Sequence, residues 1–147
     1  MFSSDRDKLR LQYVEAWRKH RAGEILSPLE DMIARVVADH PEYQGLLENE
    51  DRTVGREYLP EDGDTNPFLH MGMHLAIREQ VATDRPKGIR SVHQTLSRRL
   101  GGPVEAEHLM LEPLGEALWT AQRSGSQPDE RAYLLALQEL VRQTPGF

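Results

Sequence analysis

The stretch NPFLHMGMHLAIREQ sets His70 and His74 four residues apart. On a helix, where each residue advances about 100°, this spacing stacks two imidazoles one turn apart on the same side, and such a pair can hold one metal ion. The same face carries Leu69, Met73, Ile77 and Val81, so the helical period turns both rings toward a core and away from bulk water. Asn66-Pro67 marks the start of that helix. The partial positive charge at a helix N-terminus and an apolar surround both favour neutral imidazole, which is the form that binds metal.

A second half is offered by the segment AEHLMLEPLGE, where His108 and Glu112 also stand four apart, with Glu105 and Glu116 a turn to either side. Leu111, Leu114, Leu118 and Trp119 read as the apolar side of this helix, which leaves His108 and Glu112 at its border. Two helices that each present a pair of N/O donors are how bundles hold metal ions in their cores. Imidazole and carboxylate without thiolate suit zinc, iron or manganese. The site expected from sequence is therefore His70, His74, His108 and Glu112. A plainer role is open to each member: a buried His can donate to a carbonyl and accept from a side chain, and an acidic helix face can simply be solvated.

The remaining histidines have structural roles close at hand, although His40 and His93 are also candidate ligands if they turn toward the core. His40 extends the stripe Leu29, Ile33, Val36 and, in the last turn of its helix, can bond carbonyls there or turn toward the core. His93 lies among Ile89, Val92 and Leu96 as an interior residue, and His20, between Lys19 and Arg21, belongs to the surface.

Several chemistries are set aside. There is no cysteine, which removes disulfides, thiolate metal sites and cysteine nucleophiles. Met71 stands where an H-E-x-x-H hydrolase needs its general base. No glycine-rich phosphate loop, nucleophile elbow or dinucleotide fingerprint appears. With 18 Lys and Arg against 24 Asp and Glu, a net charge of −6 argues against nucleic acid, whose binding depends on a basic surface. Arg90, Arg98 and Arg99 read as a solvated helix face. The N-terminal residues lack a secretory signal, and no stretch nears the roughly 20 apolar residues of a membrane span, so the expectation is a cytoplasmic protein off the membrane.

These residues must be positioned by helices, because no β-branched run alternates with polar residues over strand length. The first helix is expected to begin after Ser3 or Ser4, carry Leu9, Tyr13 and Trp17, and stop at Gly23. SPLE starts the second, with Ser27 as N-cap, Pro28 in the first turn and Glu30 closing a capping box. It buries Leu29, Ile33 and Val36 and ends at Pro41, where PEYQGLLEN adds a short helix. Residues 50 to 65 read as one long loop. Further helices run from Asn66-Pro67 to about Val81, from about Ile89 to Leu100, from Val104 to the stop at Gly125, and through DERAYLLALQELVRQ. Pro113 either kinks the fifth long helix or splits it. The expected architecture is an all-α helical bundle of six main helices plus one short helix, a single domain over residues 1–147, with the third and fifth long helices as neighbours.

NPFLHMGMHLAIREQ, DRPKGIR, AEHLMLEPLGEALWTAQRSGSQPD, EAWRKHRAGEILSPLE and ADHPEY together resemble the bacterial family catalogued as domain of unknown function 1841. The matching motif residues are Asn66, Pro67, His70, His74, His108, Glu112, Glu116 and Trp119. In that family's pattern the position of Pro113 is often Cys, and a further His commonly precedes the one matching His108; this sequence has neither. The resemblance implies a small cytoplasmic bacterial protein with no assigned activity. Two functional classes follow from the residues: a metal-binding bundle, or a non-catalytic interaction module whose histidines are core residues and whose acidic surface meets a protein partner or a second copy.

Overall fold

The side chain of Ser27 accepts from the backbone N–H of Glu30, and the Glu30 carboxylate accepts from the N–H of Ser27, so the expected capping box closes in both directions. This is the local logic throughout the computed structural model, which describes residues 5–49 and 66–145. Among the described residues there are seven helices: α1 Asp5–Ala22, α2 Pro28–Ala38, α3 Pro41–Leu47, α4 Pro67–Thr83, α5 Ile89–Leu100, α6 Pro103–Ser124 and α7 Glu130–Gln143. Among the described residues there is no strand, and the architecture is the all-α bundle expected, with α3 as the short extra helix. No described helix is long and apolar enough to cross a membrane. The proposed Ser3 or Ser4 cap and the 50–65 loop lie outside the described residues.

The helices fall into two compact units, Met1–Leu75 and Ala76–Phe147, the division lying within α4. In the first unit α1, α2 and α3 pack on one another around Tyr13, Trp17, Ile33, Val36, Leu47, Phe68 and Met71. Each of these buried side chains contributes roughly 1.5–3 kcal/mol of hydrophobic stabilisation before ordering entropy is charged against it. The stripe of α1 is Arg10, Tyr13, Val14 and Trp17, and Leu9 is 49% exposed, which corrects the expectation for that residue. The i, i+3, i+4, i+7 face admits position 10 in place of 9. Arg10 is accommodated with its guanidinium carbon 5.0 Å from the centre of the Phe68 ring, a cation–π contact. Leu29 is likewise exposed, and α2 buries Ile33, Ala34, Val36 and Val37.

In the second unit α5, α6 and α7 pack together. Their buried residues include Ile89, Val92, Leu96, Met110, Leu114, Tyr133 and Leu137. Asp84 Oδ1 accepts from the backbone N–H groups of Gly88 and Arg90, and these bonds hold its carboxyl below the usual range. Two of the three arginines of the supposed solvated face, Arg90 and Arg99, bond backbone carbonyls. Arg90 donates to the carbonyls of Val81 and Ala82, and Arg99 to those of Val141 and Thr144, closing the C-terminal turns of α4 and α7. α6 is one helix through the buried Pro113.

Candidate metal centre

Asn66 is the N-cap of α4, its side chain accepting from the N–H groups of Phe68 (3.0 Å) and Leu69 (3.2 Å), and Pro67 follows in the first turn. This start fixes the phase of the helix. Phe68, Met71, His74 and Ile77 are buried, with His70 at the edge of that face and Leu69 exposed. His74 is therefore a core residue, and His70 stands between core and solvent. Their rings stack 5.0 Å apart at 9°, and the two Nε2 atoms face each other across 3.1 Å.

A third imidazole reaches the pair from the α2–α3 junction. His40 is the N-cap residue of α3 and is buried, 2% exposed. Its Nδ1 lies 2.7 Å from the carbonyl oxygen of Val36, which only accepts, so Nδ1 carries the hydrogen and Nε2 carries the lone pair in the neutral ring. Binding a carbonyl of the last turn was the structural role expected for this residue. The structure adds that the same ring meets His74 edge to face at 4.5 Å and His70 at 5.2 Å. One ring nitrogen of each of His40, His70 and His74 lies within 4.8 Å of the other two, close enough for one ion to join them. Among the described residues this is a histidine cluster able to hold a metal ion.

Tyr43, one turn into α3, borders two of the three rings. It stacks parallel to His40 at 5.8 Å and 8°, and its hydroxyl is 3.4 Å from His70 Nδ1. Burial, and after it the Glu42 carboxylate, push its phenol above the ordinary value, so the hydroxyl is retained at neutral pH.

The other predicted ligands stand on α6, in the second unit. His108 and Glu112 are both exposed. The buried face of α6 is Ala106, Glu107, Met110, Pro113, Leu114 and Ala121, while Leu118 and Trp119 are exposed, the latter by 57% with Arg123 stacked on its ring. This corrects the apolar side read from sequence. It also brings out Glu107, which sequence reasoning passed over: its carboxylate, 3% exposed as a residue, accepts from Arg78 Nε at 3.1 and 3.2 Å, and His93 Nε2 is 4.0 Å from it. The available signal was the helical offset from Met110 and Leu114, which a Glu outweighs in any hydropathy pattern.

Tyr43 was missed as a site residue, and His40 was read first as a helix-terminus residue, because their partners on α4 are remote in sequence. His20 is exposed and stacks on Trp17 at 5.3 Å.

With this geometry in place, comparison with known proteins adds a family and little else. The family model described as "Domain of unknown function (DUF1841)" matches residues 5–139, nearly the whole chain, and the chain belongs to that family. No curated protein and no solved structure matches it.

Proposed function

We propose that this protein binds a transition-metal ion at His40, His70 and His74. The observation that carries the reading is the 3.1 Å approach of His70 Nε2 to His74 Nε2, beside the imidazole of His40, whose Nδ1–H is bonded to the Val36 carbonyl. Two nitrogens each about 2.0–2.1 Å from a tetrahedral ion stand about 3.3 Å apart, so the pair is spaced for joint ligation with a shift of tenths of an ångström. The Nδ1–H bond from His40 to Val36 is the outer-sphere bond that ligating histidines characteristically make. An all-imidazole donor set suits zinc, with iron following, and suits oxygen-preferring manganese less.

When bound, a zinc-class ion would supply either a structural cross-link or a Lewis acid; the chain itself contributes the oriented nitrogens of His40, His70 and His74, the first and last of these residues buried.

The second reading, a non-catalytic interaction or structural module, draws on the same pair, since 3.1 Å also suits an N–H···N bond between neutral rings. A protein partner or a homodimer belongs to that reading. Elemental analysis of protein purified under metal-replete conditions, repeated on the His70→Ala/His74→Ala variant, separates the two. The metal reading expects one equivalent in the wild type and none in the variant. Absence of stoichiometric metal from the wild type sinks it.

A further inference from the structure

We infer that Tyr43 is a positioning residue of this centre, one whose hydroxyl accepts from His70 Nδ1–H and so supports the tautomer in which Nε2 is offered to the ion; this rests on the metal reading above. An imidazole is a good ligand only when the nitrogen facing the ion is unprotonated, and which nitrogen that is depends on the hydrogen bond made by the other. His40 meets the requirement through the carbonyl of Val36. For His70 the group at Nδ1 is the Tyr43 hydroxyl at 3.4 Å, while its Nε2 looks toward His74. With the ion bound, Nδ1–H donates to the phenol oxygen, a bond that shortens as the ring polarises.

The chain is built to deliver this hydroxyl. Pro41 opens α3 directly after His40, and the N–H of Tyr43 donates to the His40 carbonyl at 2.9 Å, so ligand and phenol are fixed in one turn. The Tyr43 ring lies parallel to that of His40 at 5.8 Å and edge to face with His70 at 5.8 Å. It thus walls both rings and bonds one. The wall and the hydroxyl are separable by mutation, which gives the inference its test.

Zinc and cobalt(II) affinities are measured by competition with a chromophoric chelator on the wild type, Tyr43→Phe and Tyr43→Ala, with thermal melts of the metal-free proteins alongside. Tyr43→Phe keeps the wall and removes the acceptor, so metal affinity is expected to fall about 10-fold, the lower end of outer-sphere effects, while the metal-free melt moves little. In nitrogen-15 spectra of the zinc form, His70 is expected to show the Nδ1–H tautomer in the wild type and a faster-exchanging Nδ1 proton in Tyr43→Phe. Tyr43→Ala is expected to lose more, in affinity and in stability together. Affinity and His70 Nδ1 proton exchange both unchanged in Tyr43→Phe overturn the assignment of Tyr43 alone. Failure of the wild type to bind either ion overturns the metal reading itself and this assignment with it.

Discussion

The imidazole of His40 meets that of His74 edge to face with ring centroids 4.5 Å apart, although one lies at the α2–α3 junction and the other two turns into α4. A residue that local reasoning gives to a helix terminus is thereby the third member of a buried cluster. Glu112, which local reasoning gives to the site, is exposed on α6.

The first prediction contrasts these two residues. His40→Ala is expected to weaken zinc binding by more than about 100-fold, beyond the range of outer-sphere changes, and Glu112→Gln by less than about 3-fold, since a carboxylate without a metal bond acts only through screened charge. Chelator competition on both variants measures this. A larger loss in Glu112→Gln than in His40→Ala would restore the carboxylate to the site.

Gly72 lies inside α4 between the two histidines, and a Cβ there would find Tyr13 Oη as its nearest neighbour at 3.7 Å, an ordinary contact. Replacing helical Gly by Ala is worth up to about 1 kcal/mol. Gly72→Ala is therefore expected to raise the melting temperature by roughly 3 °C or more and to leave metal affinity unchanged. Scanning calorimetry shows a fall instead if the helix must shift to admit the methyl.

Arg78 and Glu107 form a pair whose side chains are 18% and 4% exposed. Removing the cation leaves a carboxylate buried without it, and such a change costs about 3 kcal/mol or more. Arg78→Met is expected to lower stability by roughly that amount in urea titrations. The double variant Arg78→Met/Glu107→Met should recover part of the loss, because the uncompensated charge is gone. If the double variant is as unstable as the sum of its parts, the cost lies elsewhere.

Glu30 is held down to about 2, chiefly by the hydrogen bond from Lys19 and then by the backbone N–H of Ser27. A depressed folded-state value means that its contribution is fully present above the unfolded range near 4.5 and is lost as pH falls toward 2. Between those limits the wild-type melting temperature is expected to fall more steeply than that of Glu30→Gln. The difference should shrink in high salt, because the pair is solvent-accessible. Parallel slopes for the two proteins would show that the capping box does not carry this pH dependence.

Much of the framework was legible along the chain. The Ser27/Glu30 box, the Asn66-Pro67 start and the stops at Gly101 and Gly125 are decided within one turn, by backbone N–H and C=O groups that the nearest residues must satisfy. The all-α class follows from them. The same locality turned His74 inward, since a fixed start and a 3.6-residue period fix which residues share a face.

Tertiary structure decided which candidate faces are covered and what meets what. Arg10 in place of Leu9, and Glu107 in place of Leu118 and Trp119, are buried because the neighbouring element supplies a partner: the Phe68 ring for one, the Arg78 guanidinium for the other. The free energy of burying a polar group depends on that partner, and the partner is not in the local sequence. For the same reason a sequence could present His70 and His74 as a pair, while only the packing of α2 and α3 could bring His40 and Tyr43 to them.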